Sequence, residues 1–228
     1  MPSFNFKASN SRKLHFFPAS LPDETLFSRL SRYHLLSAER EDEQTIQLLF
    51  GVSSNQVNFA AAAPTPLRRL ANQLPGQANK NLGDLLAFNS FVPLVAPLLT
   101  SMDWNDTDLE FGEVNICHQC ANLDKSRFGI AYFHRAHQLP GVNACFVHGE
   151  RLIDICPMCS HPFRQSGKFV SAPMVPCRCG WDLEPATQTV NATETELRFA
   201  INTQNVFEKR NSALSTSCLI DFFSMHVD

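Results

Sequence analysis

Closely spaced cysteine and histidine pairs carry the clearest chemistry in this sequence. Seven of its eight cysteines, with one histidine, form four pairs whose members are separated by one or two residues. Two such ligands on one tight turn can bind the same zinc ion, so each pair is half of a tetrahedral site. The sequence therefore predicts two zinc ions. The pairs, in chain order, are Cys117 and Cys120, Cys145 and His148, Cys156 and Cys159, and Cys177 and Cys179.

Pairing in chain order gives one site of three cysteines and a histidine and one site of four cysteines. Cross-braced pairing, first pair with third and second with fourth, satisfies the same spacing and stays open. Disulfides are a further alternative, but a reducing cytosol disfavours them. Four protein ligands fill each site, which favours structural zinc over a catalytic ion with an open position. Cys218 has no partner at ligand spacing, so we expect it to be dispensable for metal binding.

Other side chains of the cysteine-rich region are candidates for contacts with a partner. His134 and His137 stand three positions apart, and we expect them to pack or to contact a partner instead of binding metal. Six basic residues are candidate phosphate contacts, with ordinary solvated surface charge as the alternative for each. They are Lys125, Arg127, Arg135, Arg164, Lys168 and Arg178.

The charge of this region limits its affinity for DNA. The whole chain has a formal net charge of −3, whereas residues 114–180 contain seven Lys or Arg and three Asp or Glu. Seven thiolates and two zinc ions would together add about −3, which leaves the region near neutral. Any nucleic-acid contact must therefore come from a local basic patch.

The elements before the cysteines are predicted to be helical. Apolar residues recur at helical spacing over residues 23–40, with Ser20 as the N-cap and Pro22 in the first turn. A second helix over residues 43–50 is closed by Gly51. Further helices are predicted for residues 53–59, 67–74, 82–88 and 194–210.

The two predicted helices over residues 43–59 are joined by a glycine turn, which is the arrangement of a helix-turn-helix. The alternative interpretation is that they are two ordinary helices packed in the core. Five acidic residues within 103–113 suggest a linker. We therefore predict a helical domain over residues 1–113, a double zinc-binding domain over 114–185, and a C-terminal helix and tail over 186–228. The predicted fold class is an α-helical region followed by a small zinc-stapled α+β region with two zinc-ribbon or finger-like sites.

The sequence contains neither a secretory signal nor a long uninterrupted apolar run. The first residues are polar with scattered Lys and Arg, and no stretch of about 18 apolar residues is free of charge or proline. These features predict a cytoplasmic protein without a membrane span.

Several segments together resemble the TniQ/TnsD family of transposition target selectors. The family pattern begins with CPxCLxxD, which is similar to ICHQCANLD at residues 116–124. It continues with aromatic-x-Arg-x-Trp-x-Leu-Pro and CxxHGxxLxxxCPxC, which are similar to AYFHRAHQLPGVNACFVHGERLIDICPMC at residues 131–159. FPASLPDETLFSRLSRYH at 17–34 and SFVPLVAPLL at 90–99 resemble two further family segments. The sequence departs at His118, at His137 and in the final C-x-C pair, but no ligand is lost. Because the chain ends about fifty residues after Cys179, the resemblance implies a short or truncated member.

The resemblance implies an adaptor and not an enzyme. Such a protein marks an insertion site, on target DNA or on an RNA-guided effector complex, and recruits an AAA+ regulator of the transposase. A zinc-dependent transcriptional regulator is the alternative, but residues 53–59 carry no Lys or Arg to read DNA. A metallohydrolase is a third hypothesis, disfavoured by the filled ligand sets. The sequence leaves open whether the chain forms a homodimer.

Overall fold

A computed structural model describes residues 13–51, 53, 64–91, 114–163, 168–183 and 189–213, and this part of the chain is mainly helical. Within these ranges the 3-10 helix Arg135–Gln138 accompanies the α-helices. Backbone pairing between strands in these ranges is confined to isolated antiparallel bridges, so the β share of the predicted α+β region is small. The α-helices are α1 (Leu26–Ser37), α2 (Asp42–Phe50), α3 (Pro64–Gln73), α4 (Ala78–Asn89), α5 (His118–Phe128) and α6 (Glu194–Ala213).

Helix α1 begins later than the sequence predicts. Its N-cap is Thr25, whose side-chain oxygen accepts a hydrogen bond from the Ser28 N–H at 3.1 Å. Ser20 instead accepts a hydrogen bond from the Asn89 amide at 2.7 Å. The intervening residues form a turn at Pro22 and Asp23, after which Glu24 forms a bridge with His134 of the cysteine-rich region. This tertiary pairing outweighs the local preference of Ser20 for a capping position.

Helix α2 ends at the predicted glycine. Gly51 adopts φ 68°, and its N–H donates to the Gln47 carbonyl at 2.9 Å. Gly51 is favoured there because a left-handed residue closes the helix and because a Cβ would overlap the Arg69 guanidinium. Apart from Ser53, the predicted third helix over residues 53–59 lies outside the described residues. The helix-turn-helix therefore remains a prediction.

Helices α1 to α4 bury one apolar core. Leu30, Leu49, Leu70 and Leu86 are fully buried in it, one from each helix. Phe169, from the cysteine-rich region, also belongs to this core and lies with its ring centroid 5.6 Å from that of His34. The helical region thus completes its core with a side chain from far along the chain.

Two further cores join segments on either side of the predicted domain boundaries. One contains Phe133, Phe163 and Trp181 between the cysteine turns, with Phe27 of α1 packed against it. The other brings Phe91, at the end of α4, against Phe207 of α6, with ring centroids 6.3 Å apart. The boundaries predicted near residues 113 and 185 therefore do not divide the apolar cores.

Candidate metal centres

The first cluster is built by the start of α5 and a turn over residues 145–148. Cys117 is the N-cap of α5, and its sulfur accepts a hydrogen bond from the Cys120 N–H at 3.3 Å. On the opposite turn, the Cys145 sulfur accepts from the His148 N–H at 3.4 Å. Gly149, at φ 68°, closes this turn with a hydrogen bond of 2.9 Å from its N–H to the Cys145 carbonyl. Each pair of ligands is thus held by local backbone geometry.

The four ligand atoms of the first cluster converge. The Cys117 and Cys120 sulfurs lie 3.2 and 3.3 Å from Nδ1 of His148, and the Cys120 and Cys145 sulfurs are 3.7 Å apart. Zinc–sulfur bonds of about 2.3 Å in a tetrahedron place two sulfurs about 3.8 Å apart. The spacing therefore fits one tetrahedral ion.

The second cluster joins two turns that are each closed by backbone hydrogen bonds. Ser160 N–H donates to the Cys156 carbonyl at 2.8 Å, and Gly180 N–H donates to the Cys177 carbonyl at 2.8 Å. Between the turns, the Cys156 and Cys179 sulfurs are 3.6 Å apart, as are those of Cys159 and Cys177. All four sulfurs lie within 4.8 Å of one another.

The structure brings the cysteine pairs together in chain order. The first two pairs form one group and the last two form the other, so the cross-braced arrangement is not the one adopted. Both groups consist of four ligand atoms, without a fifth protein ligand among the described residues. Such closed sets are typical of structural metal sites. Cys218 lies outside the described residues.

Polar side chains that the spacing rules did not predict surround the first cluster. Glu150 is 1% exposed, and its Oε1 lies 2.8 Å from the Cys117 sulfur while accepting a hydrogen bond from the Gln119 N–H at 2.9 Å. His137 is 2% exposed, with Nε2 4.0 Å from the Cys120 sulfur. Such partners orient metal ligands. The only signal for Glu150 in the sequence is its place after the His148–Gly149 turn.

The thiols of the first cluster influence one another strongly. Hydrogen bonds from Cys120 and Cys145, together with burial, raise the pKa of Cys117. Hydrogen bonds from Cys117 and Cys120 lower the pKa of Cys145. A cation at the centre would displace the remaining protons, because thiolates are the metal-binding form.

The second cluster is more open to solvent. Cys156 is buried, and this burial raises its pKa to about 12. Cys159 and Cys179 are exposed. A backbone hydrogen bond from Trp181 lowers the pKa of Cys179 to about 7, so this thiol is readily ionised near neutral pH. The thiol with the lowered pKa is therefore also an accessible one.

The candidate phosphate contacts fall into different environments. Arg135 is 5% exposed, and its guanidinium donates to Asp23 at 3.1 Å and to the carbonyls of Ala87 and Ser90. It joins the helical region to the cysteine-rich region, so we remove it from the candidate contacts. Its position beside Asp23 could not be deduced from spacing along the chain.

The other candidates lie at the surface or outside the described residues. Lys125 pairs with Asp182 at 2.7 Å, and Lys168 pairs with Asp42 at 3.0 Å. Two candidates, Arg127 and Arg178, are exposed and form no ion pair with any other described residue. Arg164 lies outside the described residues.

The two histidines near the first cluster are not among its ligands. His134 Nε2 lies 2.7 Å from an Asp124 carboxylate oxygen, and its ring stacks on Tyr132 with centroids 4.5 Å apart. The His134 and His137 ring centroids are 5.1 Å apart. His134 therefore packs on its neighbours and His137 lies beside the cluster, whereas the imidazole within the group of four is that of His148.

Comparison with known families agrees with these features. The TniQ family model matches residues 15–152, more than half of the chain. The chain belongs to the TniQ family. The match includes α1 to α5 and all four ligands of the first cluster, whereas the second cluster lies beyond it. No curated protein matches the chain.

TniQ membership makes this a transposition-associated protein, in a family of non-catalytic accessory proteins. None of the helices in the described ranges is both long enough and apolar enough to cross a membrane.

Proposed function

We propose that each cluster of this TniQ protein binds one structural zinc ion. Three thiolates with an imidazole, and four thiolates, are the ligand sets that zinc takes in closed tetrahedral sites. The distances between ligand atoms support the assignment. Elemental analysis of the purified chain should find two zinc ions per chain, and one or none would contradict the proposal.

The proposed function is that of a transposition accessory protein, which marks the target site and recruits an AAA+ regulator. The observation that carries it is the TniQ match over residues 15–152. The contacts of Arg135 support a rigid adaptor, because they join the helices to the first cluster through an ion pair with half-buried Asp23. Zinc would order loops that have too little apolar core to order themselves.

Recruitment is tested by co-purification with the cognate AAA+ ATPase, with and without target DNA. We expect a stable complex with the intact chain. The matched control is the Cys145→Ser variant, which lacks a ligand of the first cluster and should lose the interaction. Failure of the intact, zinc-loaded chain to bind the ATPase under either condition would contradict the adaptor function.

Direct DNA contact is proposed as a weak contribution from the exposed basic side chains. Because Lys125 and Lys168 are neutralised by aspartates, the remaining described candidates are Arg127 and Arg178. The double variant Arg127→Gln, Arg178→Gln should weaken DNA binding, whereas Arg198→Gln, on exposed α6, should not.

A salt titration of the same DNA binding separates the adaptor from a transcriptional regulator. We expect a shallow slope of affinity against salt and little preference for one sequence, since few phosphates are contacted. A steep slope with a large sequence preference would favour the regulator. If the protein docks on an RNA-guided complex and not on bare DNA, the double variant Arg127→Gln, Arg178→Gln should still bind that complex.

A further inference from the structure

The second cluster offers ligand residues to solvent that the first cluster does not. Cys159 and Cys179 are exposed, although both belong to a closed group of four sulfurs within 4.8 Å of one another. In the first cluster Cys117 and Cys145 are 0% exposed. Two ligand residues of the second cluster are thus open to a reagent in solution, whereas two of the first are closed to it.

The remaining thiol of the first cluster, that of half-buried Cys120, faces other side chains. Its sulfur lies 3.3 Å from Nδ1 of His148 and 3.7 Å from the Cys145 sulfur. Nε2 of His137, which is 2% exposed, lies 4.0 Å from the same sulfur. Because oxidation of a cysteine requires access to its sulfur, the surroundings of the first cluster protect it.

Each exposed cysteine of the second cluster faces a buried one across the cluster. The Cys179 sulfur lies 3.6 Å from that of Cys156, and the Cys159 sulfur lies 3.6 Å from that of Cys177. The members of each couple come from different turns, 156–159 and 177–179. An S–S bond is about 2.05 Å long, so each couple needs to close by about 1.5 Å to form one. An exposed thiol with a second thiol beside it is the arrangement that favours disulfide formation on oxidation.

Contacts that do not involve the sulfurs hold the two turns opposite each other. The Cys156 N–H donates to the His161 carbonyl at 2.8 Å, and the Cys177 N–H donates to the Trp181 carbonyl at 2.7 Å. The Trp181 ring stacks on that of Phe163, with centroids 5.9 Å apart, and so joins the segments that follow the two turns. The facing cysteines therefore stay within reach of each other when a metal leaves.

We propose that the exposed edge of the second cluster, formed by Cys159 and Cys179, is a site of oxidation by hydroperoxides, which converts the four thiolates into two disulfides between the turns and releases the metal. The proposal rests on the structural zinc ion proposed for this cluster. Disulfide sulfurs no longer hold zinc, because the thiolate is the metal-binding form. The first cluster keeps its zinc ion because its sulfurs are covered.

The reaction consumes one peroxide for each disulfide. The Cys179 thiolate attacks a peroxide oxygen, so that an S–O bond forms, the O–O bond breaks and hydroxide leaves. The Cys156 thiolate then attacks the oxidised sulfur, so that the S–S bond forms, the S–O bond breaks and a second hydroxide leaves. Two electrons pass from the two thiolates to the peroxide. Cys159 and Cys177 react in the same way with a second peroxide.

The test treats the full, zinc-loaded chain with millimolar hydrogen peroxide, followed by catalase and removal of small molecules. Elemental analysis should find that one of the two zinc ions has been lost. Peptide mass spectrometry should find the Cys156–Cys179 and Cys159–Cys177 disulfides, and a dithiol reductant with added zinc should restore the second ion. Retention of both ions, loss of both at the same rate, or disulfides in the first cluster would overturn the proposal, and disulfides within one turn would overturn the pairing.

Cysteine-to-histidine substitutions remove a thiol without removing a ligand, because imidazole also binds zinc. The zinc-loaded double variant Cys159→His, Cys179→His should lose neither zinc ion to peroxide. Cys120→His makes the same change in the first cluster, and peroxide should still remove one ion from it. Loss of zinc from the double variant would overturn the role of the exposed cysteines. If the double variant binds one zinc ion only, the disulfides mapped in the unaltered chain decide the same question.

Met158 is a competing target for peroxide, because it adjoins Cys159 and is 75% exposed. Its oxidation gives a sulfoxide and leaves the metal ligands unchanged. Met158→Leu should therefore lose one zinc ion to peroxide as the unaltered chain does, and protection by this substitution would overturn the assignment to the cysteines. Zinc content before treatment separates the two proposals. Fewer than two ions at that stage contradict the metal assignment, whereas two ions that both survive peroxide contradict the oxidation site.

Discussion

The two cysteine clusters have similar ligand chemistry but different surroundings. In the first cluster Cys117 and Cys145 are fully buried, and Glu150 and His137 lie against its sulfurs. In the second cluster two of the four cysteines are exposed. Within the described residues, the side-chain hydrogen bonds of its sulfurs join cysteines of the cluster to one another.

The difference indicates that the clusters stabilise different parts of the molecule. The first lies within the TniQ match and beside the ion pair that joins the helices to the cysteine turns. The second lies beyond the match and is backed by the stacked rings of Phe163 and Trp181, whose centroids are 5.9 Å apart. We therefore expect loss of the first metal to unfold more of the chain than loss of the second.

The largest expected effect is that of Cys145→Ser compared with Cys179→Ser. A structural zinc ion contributes on the order of 10 kcal/mol to folding in isolated fingers, and Cys145 is buried among the residues that join the helices to the first cluster. Cys145→Ser should abolish cooperative melting by circular dichroism, whereas Cys179→Ser should keep the helical signal and lose one metal. Equal damage from both substitutions would contradict the difference between the clusters.

Chelation should remove the two metals at different rates. Exposed Cys159 and Cys179 can be displaced from the metal by a competing ligand without opening of the fold, whereas buried Cys117 and Cys145 cannot. Zinc release followed with a chromogenic chelator should therefore show two phases of equal amplitude. In Cys179→Ser the fast phase should be missing. A single phase in the unaltered chain would mean that exposure does not control release.

Removing the carboxylate beside the first cluster should reduce metal affinity without removing a ligand. Glu150→Ala removes the acceptor of the Gln119 N–H and side-chain amide and so loosens the start of α5, where Cys117 and Cys120 lie, so we expect a loss of about 10- to 100-fold in zinc affinity. Glu150→Gln keeps an acceptor for that N–H and should restore most of the affinity. Competition with a chelator of known affinity measures both, and equal affinity of Glu150→Ala and the unaltered chain would refute this role.

A smaller effect on stability is expected from Asp42, whose carboxylate joins α2 to the chain at Lys168 and Phe169. Burial alone would raise the pKa of Asp42, but hydrogen bonds from the Phe169 N–H at 2.7 Å and from Lys168 outweigh it and lower the pKa. A lowered carboxylate pKa stabilises the fold above the pKa of the unfolded chain, and this stability is lost as pH falls through the lower, folded value. Asp42→Asn should therefore cost about 1–3 kcal/mol at neutral pH and progressively less in acid.

Denaturant unfolding of both chains over a range of pH measures this difference. Zinc content is checked at each pH, because protons also compete for the thiolates. Asp84→Asn is the control, since Asp84 pairs only with exposed Lys80 in the described part of the chain. A difference between Asp42→Asn and the unaltered chain that does not shrink as the pH falls below the ordinary Asp pKa of about 3.9 would contradict the assigned cause.

The smallest expected effect is that of Cys218→Ser. Both clusters are complete without this cysteine, and no spacing rule gives it a partner. Zinc content and melting temperature should match those of the unaltered chain. A loss of metal in this variant would mean that one of the paired cysteines is not a ligand in solution.

The sequence by itself determined the pairs of ligands and most of the helices. A Cys-x2-Cys or Cys-x2-His turn is a local structure, and the turns close through hydrogen bonds between residues only a few positions apart. The glycine that ends α2 is equally local. These features were predicted because their geometry depends on neighbours along the chain.

Only the tertiary structure decided how these pieces fit together. Thr25 replaces Ser20 as the helix cap because the residues between them bridge to His134, and Arg135 is a buried structural residue because Asp23 lies beside it. The position of Glu150 against Cys117 and the approach of Cys179 to Cys156 likewise join residues distant in sequence. Burial and ion pairing depend on which segments meet in space, and the spacing of residues along one segment does not contain that information.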